Sequence, residues 1–426
     1  MSLLLAIAVA CSSSESQQPS GVSTAAASPV STATAPPSRS EIEAILDDLE
    51  ARVIALRGLA PQGPVERNFV DAEAVRSIIL DDFERPETKQ QLARLERLYR
   101  LLGLIEPEAS LAATYSELIT EQVLGLYNTE VGEIFVIAEG RFDALERISY
   151  AHEYVHYLQD EAFDLQRLSD STRDDPDRRL ALSALVEGGA TLVQQQYALL
   201  TTSRAELVEL AAQLNALETG SAETAPFAVQ SALEFPYIAG FGFVTALYQA
   251  GGSARIDEAF TAPPATTEQV LHPEKYLERE DAIEVAVPDL SATLDGWGVV
   301  DQYSLGEFLL GTWLQALGAP RVAAEQAAAG WGGDTTVVLE QLDGAVALAT
   351  LIEWDSPASD GEEFASLATR TLNASPAFEA TDGNGTIWAG ATGFVGLAQA
   401  GDGAVVLAAG PAREVVDMLL DALLRR

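Results

Sequence analysis

The single cysteine of this 426-residue chain, Cys11, is the feature that most constrains its fold. One thiol forms no internal disulfide, no four-cysteine zinc site and no iron–sulfur cluster, so none of these can hold the fold together. A hydrophobic core must do so instead. A hydrophobic content of 48% with 21% charged residues is typical of a globular protein. The length allows two or three domains with sizeable cores.

The charge balance argues against two classes of partner. Lysine and arginine number 25 against 64 aspartates and glutamates, which gives a formal net charge of −39. Nucleic acids and anionic lipid headgroups are both bound through clustered basic residues, so we expect neither a nucleic-acid partner nor a polybasic membrane contact. Lysine occurs only at Lys89 and Lys275, a bias that fits a high-salt habitat and a GC-rich genome equally well.

The residues around Cys11 predict a lipid anchor. The apolar run over residues 3–10 is too short to span a bilayer and has the length of a signal-peptide core. Its end, Ala8, Val9 and Ala10, resembles the segment before the lipidated cysteine of bacterial lipoproteins, although leucine is commonest where Ala8 stands. We therefore predict a lipid on Cys11 and an extracytoplasmic protein held at the cell membrane through that lipid only.

The pattern of the remaining chain predicts a mainly helical α+β fold. Residues 1–11 form the predicted signal peptide and lipobox cysteine. Residues 12–39 are almost wholly Ser, Thr, Ala, Pro, Gln, Gly and Val, and we interpret them as a disordered tether. Residues 40–290 are assigned to one domain, and residues 291–426 to a C-terminal α+β region whose role the sequence leaves open.

Hydrophobic periodicity predicts the individual elements. Helices are expected over residues 40–57, 71–83, 87–103, 110–124, 142–163, 177–200, 204–217, 228–250, 304–317, 320–329, 360–372 and 411–425. A hairpin is expected before the fifth of these helices, with Glu133–Ile137 as its second strand. Further strands are expected over residues 335–339, 346–353, 386–388, 393–398 and 404–409. The most apolar later stretch, residues 235–248, is about half a membrane span and predicts a buried helix.

Two of the three histidines lie in one motif, residues 152–156, of sequence HEYVH. On a helix His152 and His156 share a face, so both imidazoles can reach one metal ion. Glu153 is rotated by about 100° from His152, where it can act on a water at the ion without binding the ion itself. The motif predicts one Zn²⁺ ion, with Glu153 as the general base that takes a proton and later returns it.

Zinc needs a third protein ligand, and Glu187 is the best candidate. It lies mid-helix in an otherwise apolar run, where an unpaired buried carboxylate is costly. Its helical neighbours are small, which leaves room for an ion. His272, the third histidine, could be the third ligand in place of Glu187. The remaining candidate ligands are three carboxylates, those of Glu161, Asp164 and Asp170.

The hairpin, the motif at residues 152–156 and Glu187 on a second helix resemble the gluzincin type of zinc metallopeptidase. More narrowly, the chain is similar to a family of bacterial lipoproteins and secreted proteins that are labelled metallopeptidases. The similarity covers about residues 110–355, and its segments are residues 124–128, 151–160, 184–191, 235–237 and 267–276. It implies a zincin-like domain at residues 40–290 that hydrolyses peptide bonds in a peptide or protein substrate.

The resemblance also implies how substrate and ligands are supported. In gluzincins an edge strand binds the substrate backbone, and Glu133–Ile137 is the candidate here. Many gluzincins support the first histidine with a carboxylate four residues after the ligand glutamate, where this chain has Thr191. Asp160, one helical turn after His156, is the candidate that could serve instead.

An enzyme of this kind needs a hydrogen-bond donor for the oxyanion of the tetrahedral intermediate. His272 and Tyr127 are our candidate catalytic donors, and Tyr237 and Tyr276 are further ones. The segment around His272 can equally be a capped turn that holds the structure together. Two further functions stay open: a catalytically silent cell-surface binding lipoprotein, and a structural zinc protein with a second carboxylate ligand.

Overall fold

The computed structural model describes residues 37–121, 124–137, 142–217, 225–381 and 386–425. Within them the chain forms fifteen α-helices and ten β-strands, so the fold is α+β and mainly helical, as the sequence predicts. Cys11 and most of the predicted tether lie outside the described residues, and the lipid anchor stays a prediction.

The first helix begins one residue earlier than predicted, because a different serine caps it. The Glu41 amide donates to the Ser38 hydroxyl, and the Glu41 carboxylate accepts from the Ser38 amide at 2.7 Å. Ser40 and Glu43 have the same spacing, and a capping box at that pair would start the helix two residues later. This reciprocal pair satisfies two amide donors that the helix start leaves open.

The N-terminal part contains eleven helices and three strands among the described residues. The helices are α1 (Arg39–Arg57), α2 (Ala72–Phe83), α3 (Pro86–Leu101), α4 (Leu111–Glu121), α5 (Ala144–Phe163), α6 (Leu165–Asp170), α7 (Pro176–Thr201), α8 (Arg204–Leu217), α9 (Phe227–Thr261), α10 (Thr267–Leu271) and α11 (Pro273–Glu278). The strands are β1 (Glu66–Val70), β2 (Gly125–Asn128) and β3 (Glu133–Ile137).

The small sheet corrects one expectation. Its order is β1-β3-β2, with β1 parallel and β2 antiparallel to β3. The strand Glu133–Ile137 is therefore central, and both of its hydrogen-bonding edges are already paired, so it cannot take up a substrate strand. The prediction that it is an edge strand was wrong because β1, a short charged segment, was not recognised as a strand. Of the two edge strands, β2 lies next to α5.

Helix α9 consists of two helical segments. The first ends at Gly251 and Gly252, as predicted, because the backbone there leaves helical geometry and Gly252 has a φ of +69°. The second segment continues to Thr261 and was not predicted. By length and composition alone α9 is the one described helix that could cross a membrane, and 44% of its most apolar stretch is buried inside the structure.

The C-terminal part is built on a seven-stranded antiparallel sheet of order β4-β5-β6-β10-β9-β8-β7. Its strands are β4 (Trp297–Tyr303), β5 (Trp331–Gln341), β6 (Val346–Trp354), β7 (Phe378–Ala380), β8 (Ile387–Gly390), β9 (Gly393–Gln399) and β10 (Val405–Gly410). Its helices are α12 (Gly306–Ala316), α13 (Arg321–Ala328), α14 (Asp360–Ala374) and α15 (Arg413–Leu424). The sequence did not predict β4 or β7.

One hydrophobic core joins the two parts. Buried residues of α3 and α4 belong to the same cluster as buried residues of α12 and the large sheet. The indole of Trp313, itself fully buried, donates a hydrogen bond to the Leu102 carbonyl at 3.1 Å. The C-terminal part is thereby packed against the helices that precede the predicted zinc motif.

Candidate metal centre

Two histidines of α5 and one glutamate of α7 converge on a single point. His152 Nε2 and His156 Nε2 lie 3.0 Å apart. Glu187 Oε2 lies 3.1 Å from the first nitrogen and 3.2 Å from the second. All three side chains are buried. The structure thus brings together the three residues that the sequence predicts as zinc ligands.

This set of donor atoms fits a zinc ion. Imidazole nitrogens and carboxylate oxygens bind Zn²⁺ at about 2.0–2.2 Å, so donor atoms of a tetrahedral site lie about 3.3 Å apart. The observed separations of 3.0, 3.1 and 3.2 Å are close to that value. Three protein ligands are also the number that catalytic zinc sites use, with the fourth position open to water or substrate.

The same three groups interact electrostatically. Burial alone would raise the pKa of Glu187, but the charge of His156 and the hydrogen bonds of both histidines outweigh burial and lower that pKa to about 2. Burial would lower the pKa of His156, and the Glu187 carboxylate outweighs it and raises that pKa to about 9. Glu187 is therefore the anion that stabilises positive charge at this point.

Glu153 lies beside this group and is fully buried. Its Oε2 accepts a hydrogen bond of 2.7 Å from the Tyr127 backbone amide of β2, while its Oε1 has no hydrogen-bond partner among the residues that the structure describes. Burial raises the pKa of Glu153. A buried carboxylate with one oxygen held and the other unpaired is suited to exchanging a proton with a group that enters the site.

Two glutamines that the sequence analysis missed support the histidines. Gln194 Oε1 lies 3.3 Å from His152 Nδ1, and Gln159 Oε1 lies 3.0 Å from His156 Nδ1. Both glutamines are buried. The signal was present in the spacing, because Gln194 follows Glu187 by two helical turns and Gln159 follows His156 by one.

The two helices beside the site, α7 and α9, cross at very short range. A Cβ atom on Gly188 would lie 2.2 Å from the Gly240 carbonyl oxygen, and a Cβ atom on Gly240 would lie 2.2 Å from the Ala184 carbonyl oxygen. Only glycine permits this approach. Gly188, the residue next to Glu187, therefore determines how closely α7 packs against α9 and where the Glu187 carboxylate lies.

Tyr127 and Asp160 bond to each other. The Tyr127 hydroxyl donates to Asp160 Oδ2 at 2.7 Å, and Asp160 Oδ1 accepts from the Leu165 amide at 2.9 Å. Asp160 is thus not the support of His152 that the sequence suggested, since Gln194 occupies that role. The backbone of Tyr127, through its amide, is the part that reaches Glu153.

His272 lies outside the converging group, at the junction of α10 and α11. Its Nε2 is 3.0 Å from Glu307 Oε1 at the start of α12, and its Nδ1 is 3.8 Å from a Glu274 oxygen. The hydrogen bond with Glu307 raises the pKa of His272. The His272 side chain is only partly exposed, and its hydrogen bond with Glu307 connects the N-terminal and C-terminal parts.

The remaining candidates from the sequence have partners of their own. Among the rival ligands, Glu161 accepts from the Gln62 amide, Asp164 caps α6, and Asp170 pairs with Arg173. Of the further candidate donors, the Tyr276 hydroxyl donates to the Ala262 carbonyl at 2.8 Å. The Tyr237 ring stacks on His152, with ring centroids 6.2 Å apart, so it borders the converging group.

Comparison with known proteins bears on the C-terminal part. Residues 292–420 match a protein family described as a domain of unknown function, DUF8575. That match includes Glu307 but none of the converging residues on α5 and α7. No curated protein and no solved structure matches the chain.

Proposed function

We propose that this protein is a zinc metallopeptidase that hydrolyses peptide bonds. His152, His156 and Glu187 are its proposed zinc ligands and Glu153 is its general base. The observation that carries the proposal is the convergence of two imidazole nitrogens and one carboxylate oxygen within 3.2 Å, beside a buried glutamate with one unpaired oxygen.

Each side chain has a distinct task in this proposal. Zn²⁺, when bound, supplies Lewis-acid chemistry, since it polarises a carbonyl and lowers the pKa of a water. Glu153 Oε1 takes the proton of the attacking water and delivers it to the nitrogen of the departing amine. The Tyr127 amide holds the other oxygen of Glu153 and so fixes the direction in which the proton moves.

The outer edge of β2 supports a binding mode for an extended peptide. Among the described residues no strand pairs with β2 on the side away from β3, and on that side the Tyr127 amide donates to Glu153. A substrate strand added to this edge brings its backbone next to the general base. This assigns to β2 the role that the sequence gave to β3.

The test compares two variants on one helix, using the full-length chain with its zinc content measured beside its activity. Glu153→Gln keeps the shape of the side chain but removes the base, and we expect kcat/KM on a denatured protein mixture to fall by about 10²–10⁴-fold with zinc retained. Glu161→Gln, an exposed position later on α5, is the matched control and should leave both values unchanged.

Two results would overturn the proposal. The first is full activity of Glu153→Gln. The second is a wild-type protein that holds zinc yet cleaves no peptide with or without a chelator. That second result favours the binding lipoprotein.

A further inference from the structure

We infer that Gln159 and Gln194 are the positioning residues of the metal centre, each holding one histidine with Nε2 directed at the ion. This inference deepens the proposed function and rests on its ligand assignment. The two amides also connect the helices that carry the ligands: Gln159 of α5 bonds to α7, and Gln194 of α7 bonds to α5.

The orientation of the Gln159 amide follows from its second partner. Its Nε2 donates to the Val186 carbonyl at 3.0 Å, and only an amide nitrogen can donate to a carbonyl oxygen. Its Oε1 must therefore be the atom that faces His156 Nδ1 at 3.0 Å, so that Nδ1 carries the hydrogen. A histidine whose Nδ1 is protonated presents Nε2 as its free ligating nitrogen.

Gln159 also connects the two helices that carry the ligands. It belongs to α5, while Val186 is the residue immediately before the ligand Glu187 on α7. Its amide thus fixes His156 with one atom and the backbone beside Glu187 with the other. Gln194 makes the reverse connection, because it belongs to α7 and holds His152 on α5 at 3.3 Å.

The space for Gln159 is provided by a glycine. A Cβ atom on Gly189 would lie 2.8 Å from Gln159 Nε2, so any side chain at position 189 pushes this amide away from the Val186 carbonyl. Gly188, its neighbour, is needed for the crossing with α9 instead. The two adjacent glycines therefore have separate tasks.

Neutral amides suit this location for an electrostatic reason. Glu153 and Glu187 already place two buried carboxylates at this site. A third carboxylate would add a buried charge, whereas an amide oxygen accepts the Nδ1 hydrogen without one. Gln194 Nε2 is buried and has no hydrogen-bond partner within the described residues, which lowers the stability of the folded state. We infer that Gln194 occupies this position because its Oε1 holds His152.

The test measures zinc affinity by competition with a chelator, using the full-length chain. Gln159→Met and Gln194→Met remove the amides but keep the side-chain length, and we expect each to weaken zinc binding by about 10–100-fold. Gln194→Glu keeps an acceptor oxygen for His152 and should retain zinc affinity, while the added buried charge should lower the free energy of unfolding. Gln159→Glu keeps the acceptor for His156 but loses the donor to the Val186 carbonyl, so it should bind zinc more weakly than the wild type. Gln195→Met, one residue along α7 and only partly buried, is the matched control and should bind zinc as the wild type does.

Gly189→Ala probes the same contact without touching a glutamine. We expect it to weaken zinc binding by a factor similar to that of Gln159→Met, and the double variant to be no weaker than either single one. A second readout is the Nδ1 hydrogen of each histidine in the zinc-loaded protein, observed by ¹⁵N-resolved NMR. It should be protected in the wild type and exchange rapidly in the corresponding methionine variant.

The outcomes separate this inference from the proposed function. Methionine variants that fold and bind zinc within about twofold of the wild type overturn the inference, even if Glu153→Gln abolishes turnover. Weakened zinc binding in a protein that cleaves no peptide supports the inference and overturns the function. If the methionine variants fail to fold, Gly189→Ala with unchanged affinity overturns it as well, and so does a wild type that binds no zinc.

Discussion

Two clusters of side chains that could hold a metal ion look alike by distance and differ in chemistry. In the first, Glu187 meets two histidines on α5 and α7. In the second, Glu268, Glu280 and Asp355 bring their oxygens within 4.8 Å of one another where α10 and α11 meet the C-terminal part. Distance alone marks both as places for a cation.

The second cluster already holds a cation of its own. The Lys275 ammonium lies 2.7 Å from Glu268, 2.7 Å from Glu280 and 2.6 Å from Asp355, so its three hydrogens each have an acceptor. In the first cluster, no lysine or arginine pairs with Glu187 across the described part of the chain, and imidazoles take that place. The comparison teaches that the kind of donor, rather than its spacing, distinguishes a metal centre from an internal ion pair.

Removing the internal cation is expected to have the largest effect on stability. Lys275→Met leaves three carboxylates facing one another, one of them buried, and we expect a loss of about 3 kcal/mol in the free energy of unfolding. The chain offers a matched control in its other lysine, because Lys89 pairs with Glu84 on the surface. Lys89→Met should cost less than about 0.5 kcal/mol. Urea unfolding of both variants measures these losses. Equal losses would show that the Lys275 cluster contributes no more to stability than a surface ion pair.

Separating α7 from α9 is expected to have the next largest effect. Gly188→Ala places a methyl group against the Gly240 backbone, so we expect a loss of about 1–3 kcal/mol in the free energy of unfolding, and weaker zinc binding because Glu187 moves with its helix. Gly242→Ala, on α9 in open space, should be neutral or stabilising. Calorimetry and zinc titration measure both effects, and a tolerated Gly188→Ala would show that the crossing does not position Glu187.

The smallest expected effect is a pH dependence of the second cluster. Burial raises the pKa of Glu268 to about 7, although the Lys275 ammonium opposes this shift and Asp355 and Glu307 add to it. A glutamate in the unfolded chain has a pKa of about 4.3. Between these values the folded chain binds the extra proton, so this contribution to stability is present at low pH and is lost as the pH rises towards 7.

Glu268→Gln removes this titration. The difference in unfolding free energy between wild type and variant should therefore fall by roughly 2 kcal/mol from pH 5 to pH 7.5. Urea midpoints at several pH values measure it. A difference that stays constant, or that grows with pH, would show that Glu268 is ionised throughout.

Local patterns were sufficient to predict which three side chains converge. The HEYVH spacing puts two histidines on one helical face, and Glu187 was recognisable as a lone carboxylate in an apolar helix. Each signal lies within a single helix, so it can be recognised in the sequence without knowledge of the fold. The mainly helical α+β class was predicted for the same reason.

Contacts between distant segments were not predictable. The central position of β3 depends on β1, more than sixty residues earlier, whose sequence shows little alternation. The partner of His272 is Glu307, thirty-five residues away on another helix. The support of His152 by Gln194 depends on how α5 and α7 pack, which periodicity does not report. In each case tertiary packing decided between residues that looked equivalent in sequence.

The most direct test of the central claim is the zinc content of the purified full-length chain, measured by mass spectrometry for four proteins. We predict close to one zinc ion per chain for the wild type, for Glu280→Gln in the second cluster and for His272→Ala, and almost none for Glu187→Gln. A zinc ion that persists in Glu187→Gln, or that is lost in His272→Ala alone, would contradict the assignment of the metal centre to His152, His156 and Glu187.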